Sequence, residues 1–212
     1  GKIGLCRTFI REEMRFIFPC NIHEIKIKNF KAIKDEVNRY ISQERKKDPQ
    51  GVCKSNKGGW QSKSIYASFE NILIDTMREE ICEYFINKKI LRDGVGVEIN
   101  NLWININNKD DYNVEHIHPA SHLAGVWWIK VPTDSGKLFF NSPHWFDQYH
   151  EMICYSDEFK EASATYPDYY LDPYEGGIAL FPSHLYHRVC ESNSNQERIS
   201  VSFNINLHPP DG

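Results

Sequence analysis

The hydrophobic period of this 212-residue chain changes once, at Gly94-Val-Gly96, and that change limits the fold more than any other feature. Before it, apolar residues recur at helical spacing. After it, Val97-Glu-Ile-Asn-Asn-Leu-Trp-Ile-Asn-Ile-Asn107 alternates apolar with polar residues, as a half-buried strand must. Leu123–Val131, Lys137–Phe140, Gly177–Phe181 and Ile199–Ile205 follow, separated by turn residues. Strands in series with no helix between them pair mostly antiparallel, which predicts a mainly β chain closing as a sandwich or a double-stranded β-helix, the jelly roll.

Upstream of the switch, Ile22, Ile25 and Ile27 within Cys20–Lys28 predict a short edge strand. Phe30, Ile33, Val37, Tyr40 and Ile41 then predict a helix over about residues 29 to 46 with Asn29 as its N-cap. Asp48-Pro-Gln-Gly51 ends it, and Ser55-Asn-Lys-Gly-Gly-Trp-Gln-Ser62 reads as a loop. Phe69, Ile72, Leu73, Met77, Ile81, Tyr84 and Phe85 form the stripe of a second helix over about residues 67 to 88. Core packing accounts for both stripes. There is no internal repeat and no low-complexity segment. The expectation is a single domain, residues 1–212, with a helical support region over 1–93 and a jelly-roll core over 94–212.

Composition narrows the setting. At 41% hydrophobic and 13% aromatic residues the chain can fill a sizeable core, which argues against disorder. The six cysteines (Cys6, Cys20, Cys53, Cys82, Cys154, Cys190) form no Cys-x-x-Cys pair, so neither a zinc site nor a disulfide framework is indicated. That predicts a reduced, cytoplasmic location. No apolar run approaches the ~18 to 20 residues that span a bilayer, and the start, with Arg7, Arg11, Glu12, Glu13 and Arg15, lacks a secretory apolar core. Residues 1–60 hold 14 Lys/Arg against 7 Asp/Glu, or +7, leaving 11 against 22, or −11, for the rest of a chain of net charge −4. The basic half reads as a solvated face, with Lys31, Lys34 and Arg39 on the polar side of a helix, so nucleic acid is not indicated. Oligomeric state is not legible.

The chemistry-bearing residues concentrate in the strand half. In Asn113-Val-Glu-His-Ile-His-Pro119, His116 and His118 share one face of an extended chain, which is metal-ligand spacing. A third ligand would come from elsewhere, and His187, in Pro182-Ser-His-Leu-Tyr-His-Arg188, follows the apolar run Gly177–Pro182 that would carry it to a sheet rim. In Arg198–Asn206, the residues Ile199, Val201, Phe203 and Ile205 share one face and Arg198, Ser200, Ser202, Asn204 and Asn206 the other. An arginine and a serine pointing the same way present a fork and a hydroxyl, which suits capture of a carboxylate. Taken alone, each of these patterns also fits a surface strand.

Their order is what raises them above that: His-x-His, a third histidine some 70 residues on, then Arg198. In this order, with Phe18-Pro19, Ser55–Ser62, Leu102-Trp-Ile-Asn105, Leu123-Ala-Gly-Val-Trp-Trp128 and Gly177–Ser183, the chain resembles the Fe(II)/2-oxoglutarate-dependent oxygenases. Within them it is most similar to the group common in bacteriophage and bacterial genomes. The resemblance implies a cupin-like jelly roll, a cytoplasmic enzyme (the host's cytoplasm if phage-encoded), and Fe(II), 2-oxoglutarate and O2 as cofactors. It implies His116 and His187 as metal ligands and Arg198, with Ser200 beside it, as the anchor of the far carboxylate of 2-oxoglutarate. The wider superfamily places an acid two residues after the first histidine; here stands His118, which implies a three-His site in place of two His and a carboxylate. The alternative is that water or a nearby carboxylate, Glu115 or Asp111, fills the third position; Glu115 is disfavoured because it points away from His116, and Asp111 lies in the preceding turn. Ala124 also departs from the group, which usually has serine there.

Among the remaining candidates, Asn105 is read as a polar contact to cofactor or substrate. Trp103, Trp127 and Trp128 border the site, at least two of them as core. His122 and His184 support or surface it, and His23, His144, His150 and His208 are expected to be exposed. Ser142–Glu175 carries eight Asp/Glu against one lysine and six tyrosines, and reads either as a lid or as a solvated excursion. The expected reaction hydroxylates a small molecule or peptide of unknown identity, releasing succinate and CO2. Two other readings stay open: a non-enzymatic cupin-like metal-binding or ligand-binding protein, and a three-His dioxygenase that uses no 2-oxoglutarate.

Overall fold

The alternating segments build two facing antiparallel sheets. The computed structural model describes residues 20–66, 71–144, 154–164 and 166–210, so Cys6, Phe18-Pro19, Phe69 and His150 lie outside it. In chain order the elements are β1 (His23–Lys26), α1 (Phe30–Lys47), β2 (Asn56–Lys57), β3 (Trp60–Gln61), β4 (Ile65–Tyr66), α2 (Ile72–Lys88) and β5 (Gly96–Asn107). They continue with β6 (Tyr112–His116), β7 (Leu123–Lys130), β8 (Leu138–Asn141), α3 (Asp157–Ser163), β9 (Asp168–Leu171), β10 (Gly177–Pro182), β11 (His187–Val189) and β12 (Arg198–His208). The large sheet runs β1-β10-β7-β12-β5-β3, with β4 also on β5; the small one runs β2-β6-β11-β8-β9. This is the expected double-stranded β-helix.

Two cores follow from the period of two. On the outer face of the large sheet, Leu102, Ile104, Val201, Phe203 and Ile205 pack against Val37 and Ile41 of α1 and Leu73, Met77 and Ile81 of α2. Each such side chain contributes about 1.5 to 3 kcal/mol through removal from water. Between the sheets, Ala124, Val126, Trp128, Phe140 and Phe181 fill one end. The other end of that interior is polar.

Caps and turns explain several departures from expectation. Asn29 stands at the N-cap of α1 but its side chain makes no capping bond. The second helix starts later than its stripe suggests, because Asn71 is extended and its Oδ1 accepts from the N–H groups of Leu73 and Ile74. The 55–62 stretch is not simply a loop: Asn56 pairs with Asn113 in the small sheet, whereas Trp60 pairs with Ile106 in the large one. Gly58 and Gly59 make that crossing at φ +71° and +65°, and a Cβ on Gly58 would sit 1.8 Å from Asp111 Oδ1. Within Ser142–Glu175, α3 is a short exposed helix and β9 pairs with β8 at the edge of the small sheet.

Three places in the sheets shift register: between Ile199 and Ser200 against β7, between Asn204 and Ile205 against β5, and between His187 and Val189 against β6. Among the described residues no helix is long and apolar enough to cross a membrane.

Candidate metal centre

His116 ends β6 and His187 begins β11, and antiparallel register sets them directly opposite each other. His118 lies just past the end of β6, where its N–H donates to Ser183 O at 2.9 Å. The three rings gather with centroids 4.4 to 5.1 Å apart, and one ligand atom from each lies within 4.8 Å of the others.

Hydrogen bonding decides which atom each ring offers. Nδ1 of His116 meets Val114 O at 2.7 Å, Nδ1 of His187 meets Leu185 O at 2.8 Å, and Nδ1 of His118 meets Asn204 Oδ1 at 2.6 Å. A carbonyl oxygen only accepts, so each Nδ1 carries the proton and each Nε2 keeps its lone pair. The Nε2 atoms of His118 and His187 then face each other at 3.2 Å with no proton between them. Two ligands at right angles about 2.1 Å from one ion stand about 3.0 Å apart, so this donor set fits a first-row cation. Burial, with the neighbouring His116, pushes the pKa of His118 down to about 4 and that of His187 down to about 3; burial also lowers that of His116. All three are therefore neutral near pH 7, as ligation requires.

On the same face of β12 as Ser200 lies a charge with no counter-ion among the described residues. Arg198 is 1% exposed, its Nη1 donates to Ser200 Oγ at 3.1 Å, and its Nε and Nη2 have no partner among the described residues. No carboxylate among the described residues pairs with it. Burial lowers its pKa to about 10, which leaves it charged. An uncompensated buried charge costs several kcal/mol, and an anionic ligand relieves that cost. Ser200 lines the same pocket as the three histidines, together with Trp103, Asn105 and Ser202. Asn105 donates from Nδ2 to Ser202 Oγ at 3.1 Å, while its buried Oδ1 has no partner.

The other expected residues separate cleanly. Trp103 stacks on His118 with centroids 5.4 Å apart, whereas Trp127 and Trp128 are fully buried in the two cores. His122, His184 and His208 are exposed, but His144 is half-buried and so is His23, whose ring meets Tyr84 and Phe85. Glu115 points outward to Arg188 and Asn141, and Asp111 accepts from the Asn108 N–H in its turn. Sequence reasoning placed Asn204 on the polar face of its strand without a role; the structure puts it on His118. Phe181, 4.7 Å from the His187 ring, was also missed, although it sits in the run leading to that histidine.

Residues 101–204 match a family model described as "Putative 2OG-Fe(II) oxygenase". That is just under half of the chain, but the half that holds the three histidines, Arg198 and Ser200. No curated protein sequence matches. Solved structures with a similar fold include a Pseudomonas putida prolyl-4-hydroxylase, 11% identical with TM-score 0.57, covering 91% of this chain and 94% of that one. A viral collagen prolyl hydroxylase from Paramecium Bursaria Chlorella virus-1, solved with 2OG, is 15% identical at TM-score 0.54, covering 89% and 96%. SnoK, a carbocyclase of nogalamycin biosynthesis, is 10% identical at TM-score 0.62, covering 89% and 80%. The match over the site-bearing segment makes residues 101–204 similar to the 2OG-Fe(II) oxygenases, and the solved structures share the fold of the chain.

Proposed function

We propose that the protein is a dioxygenase that hydroxylates a small-molecule or peptide substrate, converting R–H, 2-oxoglutarate and O2 into R–OH, succinate and CO2. The observation that carries this reading is the buried guanidinium of Arg198 with two unpartnered nitrogens. Three converging imidazoles alone would equally serve a cupin-like binding protein or a three-His dioxygenase without a keto-acid. Neither of those needs a carboxylate anchor.

Each residue has a defined task in this reading. His116, His118 and His187 hold the metal through Nε2, their rings pinned by the Nδ1 hydrogen bonds. Arg198 and Ser200 bind the far carboxylate of 2-oxoglutarate as fork and hydroxyl. Asn105 Oδ1 points a free acceptor at cofactor or substrate, and Trp103 and Phe181 keep water from the rings. Three neutral ligands leave the full cation charge uncancelled, which strengthens attraction of the dianionic co-substrate relative to a site with a carboxylate ligand. Fe(II), once bound, supplies O2 activation coupled to decarboxylation of 2-oxoglutarate.

The substrate range is suggested by relatives of the fold: one is a prolyl hydroxylase in complex with a peptide fragment, another a carbocyclase of nogalamycin biosynthesis. The chain works as one domain in this reading, with α1 and α2 backing the large sheet and the strands from β5 onward carrying the chemistry. The free thiols of Cys20, Cys53, Cys82 and Cys190 suit a reducing cytoplasm.

The test is anaerobic Fe(II) titration with and without 2-oxoglutarate, following the visible charge-transfer band of the chelate. The band is expected only with both present. Arg198→Ala should weaken 2-oxoglutarate by about 2 to 5 kcal/mol, more than tenfold, while iron still binds. Unchanged 2-oxoglutarate affinity in that variant would remove the reading. His118→Ala should lose most iron affinity, whereas His118→Asp should retain a working site by restoring a two-His, one-carboxylate set.

A further inference from the structure

We infer that Asn204 is the positioning residue that makes His118 a metal ligand, with Asn101 holding the Asn204 amide in the required orientation. The inference rests on the three-His reading above and deepens it.

The three histidines are not held alike. His116 and His187 each donate from Nδ1 to a backbone carbonyl two residues upstream, Val114 O and Leu185 O, so their own segments orient them. His118 has no such local partner. Its Nδ1 reaches 86 residues along the chain, and across to the large sheet, for Asn204 Oδ1 at 2.6 Å. Replacing a metal-binding acid by histidine introduces a second ring nitrogen and hence a choice of tautomer, and only the Nδ1–H form leaves Nε2 free to ligate.

A carboxamide has two ends, and only one gives that form. Were Asn204 to present Nδ2 instead, it would donate to Nδ1 and drive the His118 proton onto Nε2, the atom that faces His187 at 3.2 Å. Asn101 settles the choice: its Oδ1 accepts from Asn204 Nδ2 at 3.0 Å, committing Oδ1 of Asn204 to the histidine. Asn101 stands directly opposite Asn204 in the β5–β12 register, at the shift that follows Asn204. On the other side Asn204 lies against Ala124, whose methyl offers no competing polar group. Asn101 Nδ2 in turn donates to Ser64 Oγ at 3.5 Å, extending the chain to β4's approach. Trp103, stacked on the ring at an interplanar angle of 19°, restricts its tilt.

Two measurements test the inference, one without metal. Long-range nitrogen–proton NMR at neutral pH reads the His118 tautomer in the metal-free protein, and Co(II) titration reads affinity through its visible absorption. The parent should show Nδ1–H at His118. Asn204→Ala should shift His118 toward Nε2–H and weaken Co(II) 10- to 100-fold, the usual range for losing a ligand's supporting hydrogen bond. Asn204→Asp, which can only accept at this position, should keep the Nδ1–H form and near-parental Co(II) affinity. Asn101→Ala, farther from the metal, should give a smaller loss in the same direction and serves if Asn204→Ala does not fold. Parental tautomer and affinity in the Asn204→Ala protein, or in Asn101→Ala where that is the variant in hand, overturn the inference. His118→Ala, titrated alongside, separates the two levels. If it too binds Co(II) like the parent, the three-His reading has failed; if it alone loses affinity, only the role of Asn204 has.

Discussion

Strand β12 presents two faces of the same eleven residues that differ in how completely their needs are met. On the outer face Ile199, Val201, Phe203 and Ile205 find their partners within the chain, in the helices and in β5. On the inner face Arg198, Ser200, Ser202, Asn204 and Asn206 are also largely out of water, yet Arg198 keeps two nitrogens and Asn206 one oxygen without partners. Buried polar atoms are normally satisfied. On this strand they are open on the inner face, beside three neutral imidazoles, while the outer face is wholly apolar and supplies packing.

Three changes probe that contrast. The largest loss of stability should come from the face with no functional role: Phe203→Ala, at a fully buried ring, should lower unfolding free energy by about 3 to 5 kcal/mol in urea titration of the metal-free protein. A loss below 1 kcal/mol would mean that the helices do not carry the core.

Acid should act through the inner face instead. The folded chain holds His118 and His187 neutral down to about pH 4 and 3, whereas the unfolded chain protonates them near 6.5. Their contribution is therefore complete above pH 6.5 and lost as pH falls below it, at a little over 1 kcal/mol per unit for each group, about 1.4. Stability of the metal-free protein measured from pH 7.5 to 5 checks this. The double variant His118→Phe/His187→Phe should flatten the slope, and an unchanged slope would place the acid sensitivity elsewhere.

The smallest stability effect belongs to the most buried charge. Arg198→Met fills the same space without a cation to desolvate, so unfolding free energy should change by no more than about 1 kcal/mol or rise, even though 2-oxoglutarate binding is lost. A large destabilisation would show that Arg198 serves the fold and not a ligand.

How far the sequence could be read follows the same division. Long alternating strands such as Val97–Asn107 and Ile199–Ile205 show their period directly, and with it which side chains line the interior. Elements of two to four residues are too short to show one. Asn56–Lys57, Trp60–Gln61 and His187–Val189 become strands because neighbours distant in sequence supply their ladders, and Gly58-Gly59 reads as loop while serving as a crossing. Asp168–Leu171 is hidden for the same reason within an acidic, tyrosine-rich segment. The histidine spacing and the Arg198–Ser200 pair were legible because both ends of each pattern lie on one short stretch. Asn204 was not singled out, since five polar residues share its face and nothing local says which of them the loop bearing His118 will meet.

The register shifts beside Ser200, Asn204 and His187 carry an evolutionary consequence. Because side chains alternate, removing Ser202 would exchange the two faces beyond the cut, sending Phe203 and Ile205 inward and Asn204 toward the helices. Each bulge already places one extra residue where it re-aims the side chain next to it. Descendants of this chain can thus drift by substitution in the site, changing what is bound while keeping the scaffold. Insertions and deletions are confined to the connections between strands, where length can vary without reversing which residues meet the substrate.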